Sequence, residues 1–129
     1  MHFLLIPLKH LNRVLKLSPY KDQNVLLKLP DGKKLKDIRW IAVWCRKFAA
    51  NFGHVDIPFD LDPPLELNLG RLPSFAHSAS AEAVIVKDTK TVMFKRLRYD
   101  GAAPDAFFLI GTGSAPHGRG IKVPDENGR

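Results

Sequence analysis

The run DIRWIAVWC at residues 37–45 constrains the fold more than any other part of this chain. Successive side chains of a strand point to opposite faces, and both faces of this run are apolar. One face would carry Trp40, Ala42 and Trp44, and the other Ile41, Val43 and Cys45. Two apolar faces are typical of a strand at the centre of a sheet that is covered on both sides. We therefore predict a central strand in which Trp40 and Val43 are both buried.

Ten prolines and nine glycines divide the 129 residues into short segments, which favour strands over long helices. The segments with strand character are residues 24–29, 54–57, 83–87, 91–97, 106–110 and 121–123. The tripeptide DTK at residues 88–90 predicts a hairpin between two of them. With 45% apolar residues available for a core, the chain is predicted to be all-β, as a sandwich or a jelly roll.

Two segments differ in composition from the regions predicted to form strands. Residues 59–81 contain three prolines and the Ala/Ser-rich run SFAHSASA, which predicts a linker. Residues 1–19 form an N-terminal extension, and its residues 8–17 are either a short amphipathic helix or a segment with no fixed fold.

The opening MHFLLIPL lacks a basic start and a cleavage site, so it is a poor secretory signal. No segment approaches the roughly 20 apolar residues that a membrane helix needs.

The charge is strongly positive, with a formal net charge of +7. Residues 9–47 hold eleven Lys or Arg side chains against three Asp. A basic surface of this kind either serves an acidic partner, such as nucleic acid, anionic lipid or acidic polysaccharide, or is simply a solvated face. If it binds polyanions, the binding should be weak and dependent on salt.

Two blocks of the sequence are similar to one known family. Residues 29–58 contain the patterns W-x-x-V-W-C and F-x-x-N-F-G-x-V-x-I-P. Residues 98–128 contain Y-D-G-x-x-P-D-A-F-F, G-x-G-x-x-P and P-D-E-N-G. Together they resemble the DM-thirteen domain of the Skeletor and Knickkopf family, in which such domains occur in tandem ahead of a DOMON domain. The resemblance covers roughly residues 20–129.

The order of the two blocks departs from that family, in which the Tyr-Asp-Gly block comes first. The resemblance therefore implies that residues 20–58 are the C-terminal half of one domain and residues 82–129 the N-terminal half of the next. The chain would then be a segment of a longer protein whose DOMON domain lies elsewhere. Two halves in this order have the arrangement of a circularly permuted single domain, so residues 83–110 are expected to pair with residues 24–57.

The resemblance implies two kinds of function. One is a redox or electron-transfer module that uses Cys45, as a free thiol or as a ligand to a group such as haem, with His54 as a second candidate ligand. The other, which we favour from the sequence, is a non-catalytic interaction module that binds protein or matrix polysaccharide. The family suggests either the extracellular cuticle matrix or chromosomes with the spindle matrix as its setting. An enzyme is not expected, because no base is placed near Cys45 and no histidines have metal-ligand spacing.

The candidate residues each have a structural alternative. Cys45, the only cysteine, is either a thiol activated by its neighbouring cations or an inert side chain in the core. The paired tryptophans either bind a ring-shaped ligand or pack in the core, and the YDGAAPD carboxylates either bind a cation or cap turns. The glycine-rich run at residues 111–120 is expected to be a connecting loop. The interaction candidates are Trp40, Trp44, Arg46, Lys47, Tyr99, Asp100 and Asp105.

Overall fold

The computed structural model describes residues 14–58 and 66–126, which form eight strands in two antiparallel sheets. The strands are β1 Tyr20–Lys28, β2 Trp40–Cys45, β3 Ala50–Asp56, β4 Leu67–Asn68, β5 Ala83–Val86, β6 Thr91–Tyr99, β7 Ala106–Gly111 and β8 Ile121–Val123. Sheet A has the strand order β1-β6-β5-β4, and sheet B has the order β3-β2-β7-β8. A short 3₁₀ turn, Leu35–Asp37, precedes β2. No helix within these two ranges is long and apolar enough to cross a membrane.

The inner faces of the two sheets pack against each other around one hydrophobic core. The ring of Phe94 in sheet A lies 5.3 Å from the ring of Phe108 in sheet B, measured between centroids. Tyr20 of sheet A lies 6.1 Å from the same Phe108 ring. All three side chains are buried. This arrangement confirms the predicted all-β sandwich.

Strand β2 occupies the predicted central position, between β3 and β7. All six of its residues are buried, and both Trp40 and Val43 are completely inaccessible to solvent. Val43 faces the core between the sheets, whereas Trp40 belongs to a second apolar cluster on the outer face of sheet B. The prediction of a strand covered on both faces is therefore confirmed.

Both sheets combine strands from the two halves of the chain. In sheet A, β1 pairs with β6, so that Val25 lies opposite Phe94. In sheet B, β2 pairs with β7, so that Cys45 lies opposite Ala106. The predicted pairing between residues 24–57 and 83–110 is confirmed by these registers, and the two blocks share one core.

The segment predicted to be a linker contributes to the fold wherever the structure describes it. Residues 59–65 lie outside the described residues, but β4 pairs with β5, and Leu72 forms a bridge with Ala81. Leu72 is fully buried in the core between the sheets. The backbone here approaches Gly53 so closely that a Cβ on that glycine would lie 2.8 Å from the Pro73 carbonyl oxygen. Residues 66–81 therefore cover one edge of the core.

The two ends of the described chain lie against different sheets. Residues 8–13 of the proposed helix lie outside the described residues, and residues 14–19 have no regular secondary structure. The backbone N–H of Leu17 donates to the carbonyl of Ala106 in sheet B over 2.8 Å. Near the other end, Asp125 forms a bridge with Leu27 of β1, and its buried carboxyl accepts a hydrogen bond from the Tyr20 hydroxyl.

Candidate functional site

Cys45 lies at the end of β2, with its side chain in the core between the sheets. Its cross-strand neighbours are Ala50 and Ala106, and none of its surface is exposed. The apolar alternation of β2 fixes this orientation, because Ile41 and Val43 on the same face also enter the core. A thiol without solvent access cannot meet a bulky reagent or ligand unless the strand opens.

The cations next to Cys45 in sequence lie outside the core. Arg46 and Lys47 are exposed in the turn that joins β2 to β3, together with Phe48, which is 63% exposed. The Arg46 backbone N–H donates to the carbonyl of Asp105, and this bond holds the turn beside the start of β7. The strand end thus separates the buried sulfur from the exposed charges that were considered as its activators.

His54 lies on the opposite face of sheet B from Cys45. It is paired with Ala42, which belongs to the outer cluster, and paired residues of antiparallel strands point to the same face. Its Nδ1 lies 2.9 Å from the Asn51 side-chain amide, and its Nε2 lies 3.5 Å from Asp56. The structure therefore does not bring His54 and Cys45 together. A haem held by this pair does not fit, since the sulfur is sealed and the imidazole faces away from it.

Tyr99, like Cys45, has an ionisable side chain that is buried in the core between the sheets. Burial raises the pKa of its phenol, the backbone of Ala103 opposes that rise, and Asp100 and Cys45 add to it. Tyr99 is in register with Tyr20 on the neighbouring strand. The Tyr99 phenol therefore resists ionisation in the same apolar core that holds the Cys45 thiol.

Trp40 and Trp44 are covered by the glycine-rich loop that follows β7. The Trp40 indole Nε1 donates to the Thr112 carbonyl oxygen over 3.1 Å, and the His117 ring meets it edge-on at 5.3 Å. Trp44 is 6% exposed, and its indole nitrogen is buried with no hydrogen-bond partner in the described part of the chain. The two rings pack beneath the loop and do not form an open aromatic platform.

The YDGAAPD carboxylates cap local structure. Asp100 Oδ1 accepts a hydrogen bond from the Ala102 backbone N–H over 2.8 Å, which is the predicted turn capping. The same carboxyl lies 3.2 Å from His77 Nδ1. Asp105 contributes its backbone carbonyl to the Arg46 turn. Among the described ranges, no three His, Cys, Asp or Glu side chains converge as a metal site would require.

A cleft lined by arginines lies on the outer face of sheet A, and no motif in the sequence indicated it. It has a volume of about 340 Å³ and is lined by Arg71, Arg96 and Arg98 together with Asp22, Ser80 and Glu82. Arg98 donates to Asp22 through Nε and an η nitrogen over 2.6 and 2.9 Å. This bidentate contact with Arg98 is the main reason why the pKa of Asp22 lies below its ordinary value.

A double irregularity in the pairing of β1 with β6 shapes this cleft. The register shifts on either side of Gln23, and both Asp22 and Arg96 have left-handed backbones, with φ of 58° and 54°. The shift turns Lys95 and Arg96 outward in succession, after which Leu97 returns to the core and Arg98 faces solvent. Bulges of this kind re-aim side chains at the edges and ends of sheets. Here the bulge gathers cations on one face.

Comparison with known families assigns the chain to one of them. The family model described as "Electron transfer DM13" matches residues 3–57 and 71–129. The chain belongs to this family. The resemblance found in the two motif blocks is thereby confirmed, since the matched stretches contain both blocks. Whether the DM13 chain joins two half-domains, with the boundaries given above, stays a prediction.

Two relatives of the DM13 chain carry the name Skeletor. "Protein Skeletor, isoforms B/C" of Drosophila melanogaster is 43% identical over 110 residues, which are 85% of this chain and 14% of that protein. "Protein Skeletor, isoforms D/E" has the same identity over the same length, which is 7% of that protein. The chain thus spans a small part of either relative. No solved structure matches it significantly.

Proposed function

We propose that this DM13 domain is a non-catalytic interaction module that binds acidic polymers through its cationic surface. The observation that carries the proposal is that the cations are exposed whereas the cysteine and the tryptophans are buried. Fourteen of the seventeen Lys and Arg side chains in the described ranges are exposed, whereas Cys45, Trp40 and Trp44 are closed off from solvent. Surface cations attract polyanions over long distances and release counterions on contact.

The partners would be acidic polysaccharides of an extracellular matrix, such as the cuticle, or polymers of the chromosome and spindle matrix. These are the two settings that the family resemblance suggests. The exposed cations of the first third, including Lys28, Lys34 and Lys36, add positive charge to the surface and so attract polyanions at a distance. The second half of the chain adds the clustered arginines.

Retention on immobilised polymers tests this proposal. The folded chain is applied to heparin, to double-stranded DNA and to uncharged dextran at about 50 mM salt, and a gradient to about 1 M follows. We expect retention on a charged matrix, elution as the salt rises and no retention on dextran. Passage through both charged matrices at the lowest salt would contradict it.

Electron transfer is a second candidate function, and the description of the family model favours it. The buried Cys45 and Tyr99 are both side chains that can lose one electron, and their burial excludes bulky reagents but not electron exchange at a distance. Under this candidate the chain would relay single electrons between partners and would not form a bond to them.

An outer-sphere oxidant tests this second candidate. Folded protein and a Cys45→Ala variant are mixed with hexachloroiridate(IV), a one-electron oxidant, in the absence of oxygen. Faster reduction of the oxidant by the protein that retains Cys45, with a radical signal in frozen samples, would support electron transfer. Equal rates for the two proteins would count against it, provided that their circular dichroism spectra agree.

A further inference from the structure

We propose that the arginine cleft on sheet A, formed by Arg71, Arg96 and Arg98, is a specific site for one sulfate or carboxylate group of an acidic polysaccharide. This inference rests on the proposed function and names the place on the domain where that function is selective. The remaining surface cations supply the long-range attraction, and this cleft supplies the directed contacts.

Strand pairing brings the three arginines together from distant parts of the sequence. Ser80 forms a bridge with Arg98, and Leu72 forms one with Ala81, so the backbone of residue 71 runs beside that of residue 82. On the other side, Arg98 is in register with Lys21 of β1. The cleft therefore crosses the end of sheet A and draws its lining from four separate stretches of chain.

The backbone at the cleft is strained at Arg96, whose residue type rarely adopts a positive φ, whereas aspartate at residue 22 tolerates it more easily. Asp22 and Arg96 both have positive φ, which glycine adopts without a steric penalty and asparagine adopts more easily than arginine does. The bulge lets Leu97 and Tyr99 enter the core, but a glycine at residue 96 would serve that purpose as well. What arginine adds at this position is its side chain in the cleft. Strain of this kind gathers at functional sites.

The ion pairs with Asp22 orient Arg96 and Arg98 without consuming all of their donors. Asp22 accepts two hydrogen bonds from Arg98 and lies 3.7 Å from Arg96, so one carboxylate orients both guanidinium groups. Arg71 has no carboxylate partner among residues 14–58 and 66–126. A guanidinium group has five N–H donors in a planar fork that matches the oxygens of a sulfate or a carboxylate. Donors on Arg71 and Arg96 are therefore left for a ligand.

The acceptors in the lining favour a sugar over a nucleic acid. Asp22 and Glu82 would repel a run of phosphates, but their oxygens accept hydrogen bonds from the hydroxyl groups of a sugar ring. Among the described residues, no aromatic ring lines the cleft, whereas single-stranded nucleic acids are usually held by bases stacked on aromatic side chains. An acidic polysaccharide offers anionic groups to the arginines and hydroxyl donors to Asp22 and Glu82.

A matched pair of double variants tests the site. Arg71→Ala/Arg96→Gly removes two guanidinium groups from the cleft, and glycine accepts the positive φ at residue 96. Lys36→Ala/Lys90→Ala removes the same charge from exposed positions outside the cleft. The probe is a heparin-derived hexasaccharide, titrated by calorimetry at constant salt, with its desulfated form and a DNA oligonucleotide of equal charge as comparisons. Thermal melting and circular dichroism check that both variants fold.

We expect the cleft variant to bind the hexasaccharide about tenfold or more weakly, as the loss of a charge-assisted contact predicts. The control should lose about threefold or less, which is the effect of charge alone. Equal losses in both variants would overturn the site and leave polyanion binding intact. Absence of binding by the unaltered chain would overturn the proposed function itself. Arginine-dependent binding of the oligonucleotide in place of the hexasaccharide would overturn the ligand class.

Discussion

Trp40 and Trp44 point to the same face of β2, but within residues 14–58 and 66–126 only Trp40 has an acceptor for its indole N–H, the carbonyl oxygen of Thr112 at 3.1 Å. Replacing each ring by phenylalanine removes similar volume from the same cluster. Trp40→Phe also breaks a hydrogen bond, whereas Trp44→Phe removes a buried donor to which the described residues offer no acceptor. We expect Trp40→Phe to lower the free energy of unfolding by about 1–2 kcal/mol more than Trp44→Phe does. Urea unfolding measures the difference, and equal or reversed losses would contradict it.

The close fit of the loop against Trp40 predicts the effect of adding a methyl group. A Cβ on Gly111 would lie 2.3 Å from the Trp40 ring, whereas a Cβ on Gly118 would come no nearer than 3.5 Å to Trp44. Gly111→Ala should therefore cost about 1–3 kcal/mol of stability through overpacking. Gly118→Ala is the control, and its expected cost is below about 0.5 kcal/mol. Thermal melting of the two variants checks the contrast, which a smaller loss for Gly111→Ala would refute.

The sealed position of Cys45 predicts a thiol that reacts only when the fold opens. With a disulfide reagent near neutral pH, folded protein should react at least about 100-fold more slowly than protein in denaturant, since access requires opening of the core. A second protein, Cys45→Ala/Phe48→Cys, places the thiol at a position that is 63% exposed in the native residue. It should react at once without denaturant. Similar rates for the two folded proteins would show that the core opens at this strand end.

The pair formed by Asp22 and Arg98 predicts a dependence of stability on acid. Because Arg98 lowers the pKa of Asp22 below 3.8, the pair's stabilisation is complete above pH 3.8 and is lost as the pH falls through the folded-state value. Between pH 5 and pH 2, the melting temperature should fall further for the natural chain than for Asp22→Asn. The difference should be small and should shrink in salt, since the pair is exposed. Parallel curves would contradict it.

The local hydrophobic pattern was sufficient to predict those strands whose residues are all apolar. β7 was predicted nearly to its ends and β2 to its C-terminal end, because each is buried on both faces and its sequence shows it. The predicted central strand began at Asp37, but β2 begins at Trp40, and Asp37 lies in the preceding 3₁₀ turn. β3 was predicted to start at residue 54, but it begins at Ala50. Residues 50–53 do not alternate between apolar and polar side chains, because the register shifts opposite Val43 and Trp44. A strand that contains such a bulge lacks the two-residue periodicity by which strands are predicted.

The arginine cleft could not be predicted from the sequence for a different reason. Arg71 lies 25 residues before Arg96, within a stretch that had the composition of a linker, so no local pattern connects them. Their proximity follows from the order of strands in sheet A. The left-handed backbones that turn the side chains outward are also invisible, since arginine rarely adopts them. Conversely, the sequence placed His54 within possible reach of Cys45, and only the register of β3 separates them.

The pairing of β2 with β7 has a consequence for folding while the chain is being synthesised on the ribosome. When residue 56 has been synthesised, the β2–β3 hairpin is complete, but the edge of β2 that β7 will cover still lacks a partner. About 50 more residues must emerge before that partner exists, which takes a few seconds at roughly 5–20 residues per second. During that time an apolar strand with free backbone groups is available to other nascent chains. Until β7 emerges, this edge has the features that a chaperone for extended apolar segments would recognise.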